Sequence, residues 1–221
     1  MGSLLMCSAY RPVGAAVAWF FALPADATLP EVATPAHPDP AQALYDEYCA
    51  VPDHRRAEII DGTLYVSPRP APRHANTLSV LGGELNGAFQ RGRGGPGGWW
   101  ILHEPELHLV PLEPMSPDLA GWRIERMPAL PELAYFTLAP DWVCEVLSKS
   151  TETVDRTKKL PIFAQHGIGH VWLVDPVAKT LEVYTLDDRK RWREVRIYEG
   201  NAIVRADPFA AIELDLSALW V

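Results

Sequence analysis

The stretch Asp141-Trp142-Val143-Cys144-Glu145-Val146-Leu147-Ser148 constrains the chain more than any other. It is a short apolar run of the length of a buried strand, and it carries one carboxylate in its middle. Side chains alternate across a strand, so Val143, Glu145 and Leu147 share one face and Trp142, Cys144 and Val146 the other. A carboxylate buried without a partner costs several kcal/mol, so Glu145 requires a proton, a cation or a metal. The chain around this strand must supply one of them.

Composition limits the candidates. The chain has 221 residues, 48% hydrophobic and 22% charged, as expected of an ordinary globular protein. A net charge of -8 excludes nucleic-acid binding through an overall basic surface, leaving a local basic patch, a metal, or both. Cys7, Cys49 and Cys144 are odd in number, widely spaced and free of any CxxC pair. They predict reduced thiols in a cytoplasmic setting rather than a zinc site or a disulfide framework. Val13 to Leu23, followed by Pro24-Ala25-Asp26-Ala27, is shaped like a signal peptide, yet only Arg11 supplies positive charge before it. It reads as an over-extended start of translation rather than an export signal, and it is too short for a membrane span. Pro24 to Pro40 is rich in Pro, Ala and Thr. Residues 1–40 are therefore expected to be a leader and linker, and residues 41–221 the folded domain.

Along that domain, Ala41 to Ala50 allows a short amphipathic helix, with Leu44, Tyr45 and Tyr48 at helical spacing. Ala57 to Val66 is a hairpin signal around the Asp61-Gly62 turn, closed by the prolines from Pro68. Leu78, Leu81, Leu85 and Phe89 predict a helix over 75–90, and Arg91 to Gly98 a loop with two arginines. Trp99 to Val110 reads as a strand region, and another strand starts at Asp118. A helix is expected after Ser148 up to about His166, capped by Gly167, with Pro161 forcing its regular part to begin late. Val171 to Val174 pairs in a hairpin with Leu181 to Leu186, and the tail adds a strand pair, Trp192 to Tyr198 with Ala202 to Arg205. The fold class expected is mixed α/β (α+β): a mixed central sheet flanked by helices, with an N-terminal hairpin and extra C-terminal strands.

Two carboxylates on successive strands, Asp118 and Glu145, are the hard oxygen ligands a magnesium-type ion requires. A nearby lysine completes a hydrolytic site. The residues here resemble a known pattern. Ser116-Pro117-Asp118-Leu119, Glu145-Val146-Leu147-Ser148, Ser150-Thr151, Asp155, Lys159 and Trp172-Leu173-Val174-Asp175-Pro176 are similar to the Uma-two family, endonucleases of the restriction-endonuclease-like, PD-(D/E)xK superfold. Glu58 to Gly62, Ser67-Pro68 and His74 match that family's N-terminal signature. The resemblance covers roughly residues 41–220. It implies a Mg- or Mn-dependent endonuclease cleaving phosphodiester bonds in DNA, with Asp118 and Glu145 as metal ligands, Lys159 as catalytic lysine, and Glu58 and His74 in support. By analogy with restriction-type enzymes a homodimer is expected, and no membrane partner.

Leu147 stands where the wider superfold places its lysine, so the charge must come from the following helix, at Lys158 or Lys159. That departure supports an alternative, a catalytically degenerate nuclease-like module that binds nucleic acid or a protein partner. Other residues have plainer readings. Glu145 would pair with an arginine from 123–126, Asp155 would be a first-turn acid favoured by the helix dipole, and Glu104 and Glu106 would edge the solvent.

Overall fold

A computed structural model describes residues 39–221. The proposed leader and most of the linker lie outside the described residues. Helix α1 (Pro40–Cys49) starts at the Asp39 cap, whose carboxylate accepts from the Ala41 N–H at 3.0 Å. Strands β1 (Arg56–Ile60) and β2 (Thr63–Ser67) form the expected hairpin. Asp61 and Gly62 both take positive φ, 53° and 66°, the left-handed pair that a two-residue turn of this hand demands. The hairpin stands apart from the main sheet as its own two-stranded ribbon.

Helix α2 (Pro72–Leu85) begins with proline in its first turn, where no N–H is missed, and runs into a π-helical turn at Asn86–Gln90. The strand region expected from Trp99 divides into β3 (Trp99–His103) and β4 (Leu107–Val110), and β4 pairs with β5 (Glu113–Met115). Then follow β6 (Leu119–Arg123) and β7 (Trp142–Val146), separated by a long stretch of turns. The next helical segment is α3 (Glu152–Val154), a π turn (Asp155–Lys159) and α4 (Leu160–Gln165). Pro161 falls in the first turn of α4, so the wide turn before it absorbs the missing donor and no kink is needed. Gly167 closes the helix at φ 73°.

The central sheet has the order β10-β9-β8-β7-β6-β3, where β8 is His170–Asp175, β9 Thr180–Leu186 and β10 Trp192–Glu199. Only β7 and β8 run parallel, bridged by the α3–α4 segment; the other neighbours are antiparallel. The architecture is thus the mixed sheet flanked by helices. The tail differs from expectation. β10 pairs with β9 over seven registered positions, while β11 (Ile203–Val204) pairs with β12 (Leu214–Asp215). The free edge of β9 offers a longer ladder than the short segment that follows Gly200.

Alternation along β7 sorts the core. Trp142, Cys144 and Val146 join Leu81 and Leu85 of α2, Phe89 of the π turn after it and the C-terminal Phe209 in one cluster. Val143 and Leu147 join Ile60, Trp122, Leu160 and Phe163 in the other. Cys144 is free and buried, and Cys7 lies outside the described residues. Among the described residues no helix is long and apolar enough to cross a membrane.

Candidate active site

The register of β6 against β7 sets Leu119 opposite Cys144, and the next step brings Asp118 beside Glu145 at the strand ends. Their contacts are direct: the Val146 N–H donates to Oδ2 of Asp118 at 2.7 Å, and the Asp118 N–H approaches Oε2 of Glu145 at 3.4 Å. Each carboxylate is 2% exposed. The π turn of the helical segment carries Lys159 over the same spot, where its ammonium lies 3.1 Å from Glu145, 3.0 Å from Glu58 and 3.3 Å from Asp155. Glu58 comes from β1 and also accepts from the Ser116 N–H at 2.8 Å. His74, in the first turn of α2, pairs through Nε2 with Oδ2 of Asp118 at 3.1 Å.

The five residues singled out from the sequence therefore converge from five elements or their ends. Two others join them. Arg56 Nη1 donates to Oδ1 of Asp118 at 2.6 Å and Nη2 to the Ser116 carbonyl. Asp155 is the first-turn acid of the π turn, and it is buried beside Lys159. Arg56 and Glu58 sit two apart on one strand face, an opposite-charge pair whose common direction was the available sequence signal. No arginine from 123–126 reaches Glu145; Arg126 pairs with Asp141 instead. Lys159 is buried, not solvated, whereas Lys158 turns outward to the hairpin at Asp61, 2.9 Å away. A bidentate Arg156–Glu182 pair, at 2.9 and 2.6 Å, ties the same turn to β9. Glu104 is half-exposed and near Arg56, and Glu106 accepts from the Tyr48 hydroxyl and pairs with His108.

Electrostatics separate the acids. Burial pushes Asp118 up, but the His74 hydrogen bond and the Arg56 charge outweigh it and hold the carboxyl well below its ordinary range. Burial raises Glu145, and the Lys159 charge offsets this only in part because Asp155, Asp118 and Glu58 add like charge. Asp155 is raised by burial as well. Burial would lower Lys159, yet Glu145, Glu58 and Asp155 together hold it firmly protonated.

The donor set fits a divalent cation. Four carboxylates, Glu58, Asp118, Glu145 and Asp155, face two fixed cations, Arg56 and Lys159. Among the described residues no cage of three His, Cys, Asp or Glu ligands is present. A magnesium-type ion does not require one, since one or two carboxylates with water and phosphate oxygens suffice. The cavity they line, with Ser148, Ser150 and Thr151 at one side, encloses about 150 Å³, room for an ion and several waters.

Residues 43–218 match the Uma2 family, described as "Putative restriction endonuclease". A solved structure of a putative nuclease belonging to DUF820 from Anabaena variabilis ATCC 29413 superposes with a TM-score of 0.62 at 23% identity, covering 80% of this chain and 96% of that one; it shows the shared fold. No curated protein matches the chain. The chain belongs to the Uma2 family.

Proposed function

From membership of that family and the buried acid cluster, we propose that this chain is a divalent-metal-dependent endonuclease acting on DNA, with Asp118 and Glu145 as the ligands of Mg or Mn. The observation that carries the reading is the convergence of Asp118, Glu145 and Lys159 in one cavity. When bound, the ion supplies Lewis-acid polarisation of the phosphodiester and a more acidic attacking water.

The chain's own residues do the rest. Lys159 is held protonated by three carboxylates, so it acts as a fixed positive charge for the developing phosphate and not as a base. Glu58 and Asp155 hold its ammonium in place. His74 and the Val146 N–H orient Asp118 through Oδ2. Leu147 is buried in the apolar core below β7, so the lysine arriving from the helix replaces a strand lysine at no cost to the sheet.

The purified protein with Mg or Mn should nick plasmid DNA, and Asp118→Ala and Glu145→Ala should each abolish the cleavage. Absence of cleavage of both DNA and RNA by the wild-type protein overturns the reading. The contact between Arg56 and Asp118 favours the second reading, a nuclease-like module without catalysis. Calorimetry separates the two, because metal indifference leaves the module.

A further inference from the structure

Asp118 has little room for another partner. Its Oδ2 accepts from the Val146 N–H at 2.7 Å and pairs with His74 at 3.1 Å. The first of these donors is the backbone of the central strand β7, and the second belongs to a buried side chain on α2. Neither leaves without disrupting its element. Among the described residues, Oδ1 accepts from Arg56 alone, at 2.6 Å. Arg56 differs from the other two donors: it stands on the separate hairpin, its side chain is 21% exposed, and, with Nη2 held by the Ser116 carbonyl, Nη1 has a second acceptor at hand. That acceptor is Oε1 of Glu104, 3.5 Å from the same Nη1.

Glu104 is placed for this in an unusual way. It is a non-glycine residue at φ 45°, in the sparsely populated left-handed region, and its N–H donates to the Asp118 carbonyl at 3.0 Å. A strained position anchored to the backbone of Asp118 thus presents a half-exposed carboxylate beside the guanidinium. We propose that Arg56 and the divalent cation compete for Oδ1 of Asp118, and that Glu104 takes over the guanidinium when the cation binds. Arg56 is then a positioning residue that holds Asp118 oriented until the ion replaces it. This rests on the reading of Asp118 and Glu145 as the metal ligands.

The test is calorimetric titration of the full-length protein with MnCl2 alone, at fixed pH and ionic strength. Arg56→Met, which keeps the apolar stem, should bind roughly fivefold tighter than wild type, and Glu104→Gln roughly threefold weaker, within the range of coupling between groups in contact. Loss of one positive charge by itself also favours a cation, so the double variant decides the matter. Competition predicts that Glu104→Gln has no effect once Arg56 is Met, whereas general electrostatics predicts the same weakening in both backgrounds and overturns the proposal. Unchanged or weaker binding by Arg56→Met also overturns it, and if that variant fails to fold, unchanged affinity in Glu104→Gln does so. Wild-type protein that gives no heat, like Asp118→Ala, removes the metal site itself and the proposal with it; binding lost in Asp118→Ala but insensitive to Arg56 removes the proposal alone.

Discussion

The ammonium of Lys159 lies 3.1 Å from Oε1 of Glu145, and both side chains are almost wholly buried. The pair joins the π turn of the helical segment to the central strand β7, across the parallel β7–β8 connection. Lys159 is the cation that Glu145 shares at this depth with Glu58 and Asp155.

Removal of the lysine therefore costs more than one ion pair. Lys159→Met leaves Glu58, Glu145 and Asp155 without their shared cation, and breaking one partner of a buried pair costs about 3–5 kcal/mol. At roughly 2–4 °C per kcal/mol for a domain of this size, the thermal midpoint should fall by about 6–20 °C. Addition of Glu145→Gln to that variant should restore part of the loss, which a melting curve reads directly.

Acidity should act on the two proposed ligands with opposite sign. Asp118 is held below its ordinary value, so its contribution to stability is present above the unfolded value of about 3.9 and is lost as pH falls through the folded one. Glu145 is raised, so its protonated form favours the fold below about pH 4.3, and that contribution is lost as pH rises through the folded value. In a denaturation series against pH, Asp118→Asn should flatten the acid limb and Glu145→Gln the neutral one. Because a ligand carboxylate must be deprotonated, Mn affinity of the wild-type protein should increase as pH rises above the ordinary glutamate range.

Much of this site was readable along the chain. The isolated acid in an apolar strand marked Glu145, the Asp61-Gly62 turn fixed the hairpin, and the strand alternation sorted β7 between the two core layers. Contacts between distant elements were not readable. Arg56 meets Asp118 across 62 positions, a pairing set by where the hairpin docks rather than by any local pattern. The burial of Asp155 depends on how the helical segment docks over the site, which no pattern within the segment displays. The partner of β10 was missed for the same reason: its alternation suits any free edge, and only the assembled sheet shows that β9 presents one.

The aromatic cluster on the opposite face of β7 should be energetically separate from the acids. Phe209 packs its ring 4.6 Å from Phe89, 5.0 Å from Trp99, 4.9 Å from Trp142 and 5.6 Å from Trp172, measured between centroids. Phe209→Ala should cost about 3–5 kcal/mol in chemical denaturation. Mn affinity, measured below the unfolding transition, should stay at the wild-type value.

Nucleic-acid contact in so acidic a chain requires a local basic surface, and the loop after α2 supplies one. Arg91 and Arg93 line a groove with Ser79, Gly82, Asn86 and His103, and no acid is among its lining residues. Neither arginine side chain has a hydrogen bond or ion pair among the described residues. His103 can lie over the helix only because residue 82 lacks a side chain, since a Cβ there would come within 2.3 Å of the imidazole. His103 also faces Leu119 across the β3–β6 ladder, which ties the groove to the central sheet. If DNA phosphates occupy it, each arginine adds about one unit to the slope of log affinity against log salt. Arg91→Ala/Arg93→Ala should therefore lower DNA affinity at low salt and reduce that slope by about 2, as read by fluorescence anisotropy, while Mn affinity at Asp118 and Glu145 stays unchanged. An unaltered slope would place the DNA elsewhere on the molecule, because a salt slope counts phosphate contacts directly.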